Sequence, residues 1–254
     1  MTLEGRAAIV TGSSSGVGAA TALRLAEQGC NVVVNYSRSS EAAEAIASEA
    51  QRFGVRVLCV QADVSDDAAV RAMVERAGKE FGRLDVLVNN AGMTKFIAHD
   101  ELDDIEMEDF QRIMAVNVMG PLHCARAARQ LLTESGQGVV VNVGSIAGLR
   151  GTGSSIPYCA SKAALHNLTV TLARVMAPQV RVNAVAPGFI TGPWLKAGLG
   201  DAYEPAKAHQ ESRAALGRVC DAEDVAEAIM SLVTGSRLVT GHVVPVEGGI
   251  MLAT

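Results

Sequence analysis

Tyr158 and Lys162, in the stretch Ser154-Ser155-Ile156-Pro157-Tyr158-Cys159-Ala160-Ser161-Lys162, are the pair in this sequence best suited to proton chemistry. Pro157 fits the first turn of a helix, where its missing N–H costs nothing, and the Ala-rich run after it favours continuation. Residues four apart on a helix share a face, so an ammonium would stand beside a phenol and favour the phenolate. That makes Tyr158 a candidate general acid and base. An unperturbed tyrosine has a pKa of about 10, and lowering it by roughly 3 units takes about 4 kcal/mol, more than an exposed pair supplies. A second positive charge is needed at such a site. Spacing alone does not single out this pair, because Tyr203 and Lys207 repeat it.

The elements around the pair alternate. A strand over 6–10 runs into Thr11-Gly12-Ser13-Ser14-Ser15-Gly16-Val17-Gly18, then into an Ala/Leu-rich helix ending near Gly29, with a strand over 31–35 next. Helices over about 40–53 and 66–81 alternate with strands over 55–60 and 84–88. Strands separated by helix-length segments imply a parallel sheet with right-handed crossovers. A helical pattern over about 106–134, which Gly120-Pro121 kinks or divides, precedes a strand over 138–143, the Tyr158 helix and a strand over 180–185. Residues 188–217, rich in Gly and Pro and holding Trp194, read as a substrate-binding loop. Asp221 caps a last helix to about Val233, and a seventh strand spans 242–246. No linker or repeat divides the chain, so 1–254 is expected to be one domain combining dinucleotide binding and catalysis.

Composition narrows the function classes. With a formal charge of −5, a pI of about 5.6 and only 19% charged residues, the chain has no basic stripe for nucleic acid or an anionic membrane. The first residues lack a basic segment followed by an apolar one, and no run is long and apolar enough to span a bilayer, so a cytoplasmic protein is expected. The 5 cysteines lack C-x-x-C spacing and the 5 histidines are scattered, which predicts neither disulfides nor a metal site. Cys159 is expected to pack rather than react.

Glycines 12, 16 and 18 between a strand and a helix meet the context of a dinucleotide-binding turn, where backbone approaches a pyrophosphate at a helix N-terminus. An oxidised nicotinamide would also supply the second positive charge. The cofactor type is read at the end of the second strand, where NAD sites place an acid and NADP sites a cation. Asn35-Tyr36-Ser37-Arg38 has no acid and offers Arg38, so NADP(H) is preferred, with NAD(H) the alternative if Arg38 is only solvated.

Together, Thr11-Gly12-x-x-x-Gly16-x-Gly18, Asn89-Asn90-Ala91-Gly92, Ser145 before Tyr158-x-x-x-Lys162, and Pro187-Gly188 resemble the short-chain dehydrogenase/reductase family over nearly the whole chain. The resemblance implies a Rossmann-type, doubly wound sheet of about seven parallel strands in the order 3-2-1-4-5-6-7, with helices on both faces. It implies that Tyr158 is the acid/base, Ser145 binds the substrate oxygen, Lys162 holds the nicotinamide ribose and lowers the Tyr158 pKa, and Asn117 anchors a water on the proton path. It also places Gly12, Ser14, Ser15, Gly16, Val17 and Gly18 at the pyrophosphate, and Tyr36, Ser37 and Arg38 at the adenosine. Asp63 and Val64 would flank the adenine, Asn90, Ala91 and Gly92 line the cofactor, and Pro187, Gly188, Ile190 and Thr191 meet the nicotinamide. The second pair fails the pattern, since Ile190 stands where its serine would be and Pro205 is expected to break any helix joining Tyr203 to Lys207. Serines rather than a basic residue fill the glycine motif, which leaves phosphate recognition to Ser37 and Arg38.

Within the family, the chain looks most like 3-oxoacyl-carrier-protein reductases. That implies hydride exchange between NADP(H) and a carbonyl or secondary alcohol, with a 3-oxoacyl thioester as the candidate substrate. Arg126 and Arg129 could then face an acidic acyl-carrier protein. A steroid, polyol or sugar-alcohol dehydrogenase is the alternative, with the apolar 188–217 segment favouring an apolar or amphipathic substrate. A dinucleotide-sensing module without catalysis is the non-enzyme alternative, set against the retained serine, tyrosine and lysine. A sugar-nucleotide epimerase or dehydratase is disfavoured, since such relatives add a longer C-terminal region. A homotetramer is implied, with helices 106–134 and 157–177 and the last strand as contacts.

Overall fold

In the computed structural model, which describes residues 1–252, seven strands form one sheet: β1 (Ala7–Val10), β2 (Asn31–Tyr36), β3 (Val57–Gln61), β4 (Val86–Asn89), β5 (Gly138–Val143), β6 (Val180–Pro187) and β7 (Val243–Val246). Every pairing is parallel and the order is β3-β2-β1-β4-β5-β6-β7, as the resemblance implies. Side chains alternate across a strand, so each central strand feeds two cores. Ala8 and Val10 of β1 join Val32, Val34, Val86 and Val88 on one face. This face is covered by α1 (Gly16–Glu27), α2 (Ser40–Gln51) and α10 (Ala222–Thr234) through Leu25, Ala47 and Ile229. Ala7 and Ile9 meet the other face, under α3 (Asp67–Phe81), α5 (Gly120–Glu134) and α7 (Ile156–Met176), through Met73, Leu132 and Leu172. No described helix is long and apolar enough to cross a membrane.

Helix starts follow side-chain chemistry. Asp66 accepts from the amides of Ala68 and Ala69, and Asp221 and Asp224 form a reciprocal capping box. The helical pattern over 106–134 is α4 (Met107–Met114), a π-helical turn (Ala115–Met119) and α5. The division falls on the π turn, and Pro121 lies in the first turn of α5.

Two expectations are corrected. Residues 188–217 hold α8 (Pro193–Leu199), a 3-10 turn (Gly200–Ala202) and α9 (Tyr203–Arg213) rather than an irregular loop. Pro205 does not break α9, because it is the third residue of the helix, where an amide has no intrahelical acceptor. Tyr203 and Lys207 therefore do share a helix, joined by α9. They do other work: Tyr203 is buried with its ring centroid 5.7 Å from that of Phe189, and Lys207 pairs with Glu211 at 3.6 Å. At the boundaries, β3 begins two residues later than expected, at Val57, and β4 begins at Val86.

Asp85, fully buried beside β4, ties the amino ends of the central strands together. It accepts from Arg6 at 2.6 Å, from the Ala7 amide at 3.0 Å and from Arg83 through two bonds of 2.7 Å. Burial alone would raise its pKa, but these donors outweigh burial and hold it below the ordinary value. Asp85→Asn is expected to destabilise the fold by about 1.5–3 kcal/mol at pH 7. Because the folded-state pKa is depressed, the gap to wild type should narrow as pH falls below about 4. Denaturant titrations at pH 7 and pH 3.5 measure it, and an unchanged midpoint at pH 7 would contradict the assignment.

Candidate active site

The glycine turn is built by polar groups behind it. Gly12 and Gly16 adopt left-handed backbone at φ +62° and +54°, while a Cβ on Gly18 would lie 2.4 Å from the Gly12 carbonyl oxygen. Asn35, buried at the end of β2, accepts from the Gly12 amide at 3.0 Å and donates to the Ala62 carbonyl at 3.1 Å. The Ser13 hydroxyl donates to Val10 O at 2.7 Å and accepts from Asn35 N at 2.9 Å, so Ser13 faces inward. Thr11 Oγ1 accepts from the amides of Asn90 and Ala91 at 3.0 Å, and the Asn90 side chain donates to Thr11 O and Gly12 O. Asn90 and Ala91 thus brace the turn from β4. Ser14 and Ser15 lie outside this network, and Ser15 precedes α1 without a side-chain cap. A Cβ on Gly16 would meet nothing within 4 Å, so the backbone at the start of α1 has open space beside it. A pyrophosphate fits such a cradle at the β1/β4 switch point.

At the end of β2, Tyr36 is half-buried, Ser37 and Arg38 are exposed, and Arg38 has no ion pair among the described residues. Asp63 is occupied by its neighbours: it accepts from Ser65 N and Oγ and pairs with Arg112 at 2.7 Å. Burial pushes its pKa up, but Ser65 and Arg112 prevail and hold it at about 2. Val64 is buried against Gly120.

The residues expected to handle protons meet at the same edge. Ser155 caps α7 by accepting from Tyr158 N at 3.4 Å, which sets Tyr158 in the first turn. Lys162 is one turn on, its Nζ 5.6 Å from the Tyr158 ring centroid, buried and donating to Val143 O at 2.8 Å. Ser145 lies between β5 and α6 (Ala147–Arg150), its Oγ accepting from Ala147 N at 3.1 Å. Asn117 lies in the π turn, exchanging 2.9 Å bonds with the Met93 backbone and donating to Ser161 Oγ at 2.9 Å. A Cβ on Gly92 would stand 3.3 Å from Asn117 Oδ1 and 3.6 Å from Lys162 Nζ, so these two atoms border one space that the glycine leaves open. Pro187 O accepts from Ile146 N at 3.0 Å, joining β6 to the serine loop, and a Cβ on Gly188 would lie 3.6 Å from Ile146 Cδ1. Ile190 bridges to Cys220 and Thr191 N donates to Cys220 O at 2.8 Å.

Burial dominates the electrostatics. It pushes the Tyr158 phenol up to about 12, against the Ser145 hydroxyl, which lowers it. It pushes the Lys162 ammonium down to about 8. In the chain alone desolvation disfavours both charged forms, so a lowered Tyr158 pKa needs a second positive charge. Sequence reasoning missed Asn35, Ser13 and also His166, whose Nε2 accepts from Ser145 N at 3.4 Å. For Asn35 and His166 the available signal was a polar residue inside an otherwise apolar element.

A family profile described as enoyl-(acyl carrier protein) reductase matches residues 12–251. The chain is 45% identical, over 98% of its length and 97% of the relative, to a Streptomyces violaceoruber protein provisionally named ketoacyl reductase 2 of granaticin polyketide synthase. It is 40% identical to cis-4-hydroxycyclohexanecarboxylate dehydrogenase from Sinomonas cyclohexanicum, over 96% of both. The chain belongs to the short-chain dehydrogenase/reductase family. A 3-oxoacyl-[acyl-carrier-protein] reductase from Staphylococcus aureus is 35% identical over 97% of this chain and 98% of the relative. The structure of NAD+-bound xylitol dehydrogenase superposes with a TM-score of 0.89 at 30% identity, covering 98% of this chain and 100% of the other. The chain is an oxidoreductase of this family, acting between CH–OH and C=O groups, and the family binds nicotinamide cofactors.

Lys162 has a buried ammonium whose single hydrogen bond goes to Val143 O. Replacing such a charge by an apolar chain of similar length relieves desolvation. Lys162→Met is expected to raise the stability of nucleotide-free protein by about 2 kcal/mol at pH 7 while removing activity. The folded-state pKa lies below the unfolded one, so wild-type stability rises with pH above about 8 and the gap should shrink toward pH 9.5. Thermal melts at the two pH values test this, and a less stable variant at pH 7 would refute it.

Proposed function

We propose that the protein is an NADP(H)-preferring reductase or dehydrogenase that moves hydride between nicotinamide and a carbonyl or secondary alcohol, with a 3-oxoacyl thioester as its candidate substrate. The observation that carries this reading is the clustering of Ser145, Tyr158 and Lys162 at the sheet edge, next to a dinucleotide cradle. The bound nicotinamide supplies the hydride or accepts it. Ser145 Oγ donates to the substrate oxygen and stabilises the developing alkoxide, and Tyr158 protonates it. Lys162 supplies positive charge beneath the phenol. The space shared by Lys162 Nζ and Asn117 Oδ1 gives the proton a polar way out. Tyr36, Ser37 and Arg38 hold the adenosine end, with the unpaired Arg38 guanidinium taking a 2′-phosphate. Asp63 and Val64 flank the adenine, and Pro187, Gly188, Ile190 and Thr191 meet the nicotinamide.

The names of the ketoacyl and 3-oxoacyl reductase relatives favour the thioester. A second reading, oxidation of a ring or polyol alcohol with NAD(P), draws on the hydroxycyclohexanecarboxylate and xylitol dehydrogenases. It is also favoured by the arginines expected to face a carrier protein: Arg126 pairs with Asp67 at 2.7 Å and Arg129 donates to Val175 O at 3.4 Å. A homotetramer accords with exposed apolar side chains on the expected contact elements, among them Met107, Met119, Val170, Val175 and Val244, and a cytoplasmic location is part of the same reading. A dinucleotide sensor would bind without turnover.

NADPH and NADH oxidation against 3-oxoacyl thioesters, cyclic ketones and polyol-derived ketoses is the test. The reading expects thioester reduction with NADPH favoured, and Tyr158→Phe or Ser145→Ala lowering kcat by at least about 100-fold with NADPH affinity kept. Arg38→Ala should raise the KM for NADPH about tenfold and leave that for NADH unchanged. Full activity in Tyr158→Phe would defeat the mechanism, and equal use of both nucleotides would defeat the NADP(H) preference.

A further inference from the structure

We propose that His166 is a positioning residue that fixes the Ser145 hydroxyl relative to the Tyr158 phenol, acting as a neutral ring whose Nε2 accepts the Ser145 amide. The inference rests on the hydride-transfer reading above. On its inner side, α7 presents Lys162, His166 and Thr169, spaced i, i+4 and i+7, so they share one face. Each holds a group at the carboxyl end of β5. Lys162 Nζ donates to Val143 O at 2.8 Å, Ser145 N donates to His166 Nε2 at 3.4 Å, and Asn142 Nδ2 donates to Thr169 Oγ1 at 2.9 Å. The helix carrying Tyr158 is thereby keyed to the strand end carrying Ser145. His166 is the middle contact of the three and the one that reaches the serine itself.

Three further observations fit this role. A Cβ on Gly144 would lie 2.3 Å from His166 Nε2, so the backbone before Ser145 has room for the imidazole only because residue 144 is glycine. Accepting at Nε2 requires the neutral ring protonated at Nδ1, and His166 Nδ1 is buried without a hydrogen-bond partner. An unpartnered buried N–H is costly, and leucine or isoleucine would pack this helix face without it. Burial, helped by Lys162, also keeps the ring neutral by lowering its pKa to about 4. The Ser145 amide has no acceptor other than His166 among the described residues. Gly144 N and Ile146 N stay bonded to Val185 O and Pro187 O, and Ser145 Oγ to Ala147 N and Pro187 O, so removing the ring would leave the Ser145 amide unpaired and shift the hydroxyl within a held loop. Misplacing a catalytic hydroxyl by about 1 Å can cost roughly 100-fold in rate.

The test compares His166→Leu, which removes the acceptor, with His166→Gln, which keeps an amide oxygen. The proposal expects His166→Leu to lower kcat about 10- to 100-fold with the NADPH dissociation constant within about twofold of wild type, and His166→Gln to recover most of the rate. It also expects the histidine 15N spectrum of the nucleotide-free wild type to show His166 protonated at Nδ1 only. A His166→Leu variant with wild-type kcat, a His166→Gln variant no faster than His166→Leu, or an Nε2-protonated ring would each overturn it. If His166→Leu does not fold, Gly144→Ala must give the same kcat-specific loss in a folded protein, and wild-type rates in that variant would overturn it equally. Failure of the underlying reading looks different, since Ser145→Ala would then keep full activity whatever His166 variants do.

Discussion

Desolvation of one phenol and one ammonium, side by side at the carboxyl edge of a parallel sheet, is the constraint on which this molecule turns. Neither group gains its charged form cheaply in that position: burial drives the Tyr158 pKa up and the Lys162 pKa down. The pair is held there because α7 is locked to the end of β5 by polar contacts from Lys162, His166 and Thr169. An added positive charge would favour the Tyr158 phenolate while disfavouring the Lys162 ammonium further. A bound oxidised nicotinamide is such a charge, which couples the dinucleotide cradle to the chemistry through electrostatics rather than through a shared contact.

The cradle itself depends on asparagines that close apolar strands. Asn35 ends the run Val32-Val33-Val34 and anchors the Gly12 amide, and Asn89 and Asn142 pair with each other at 2.8 Å across β4 and β5. Asn183 in β6 accepts from His242 N at 3.1 Å and donates to Val239 O at 2.9 Å, which fastens the approach to β7. Asn35, Asn142 and Asn183 find partners for both the donor and the acceptor of their buried amides, which fixes the backbone around them, whereas Asn89 Oδ1 is buried without one.

The strands and the glycine turn are legible because their signals are local. Apolar runs bounded by glycine or aspartate read as buried parallel strands, and glycines 12, 16 and 18 between a strand and a helix read as a phosphate turn. The helices within 188–217 are masked by its glycines and prolines, since Pro193 and Pro205 both sit in first turns where proline is tolerated. The roles of Asn35, Ser13 and His166 were hidden for another reason. Each depends on a partner 22 or more residues away, or 21 for His166, and only the folded sheet brings them together. The Tyr158 pKa was hidden as well, since spacing gives the proximity of Lys162 but not the burial that opposes it.

A spectroscopic pH titration of the Tyr158 phenol, taken as the difference between wild type and Tyr158→Phe, tests that electrostatic coupling most directly. The phenol should titrate near 12 in nucleotide-free protein and several units lower once NADP+ is bound. A phenol with the same pKa in both states would contradict the account.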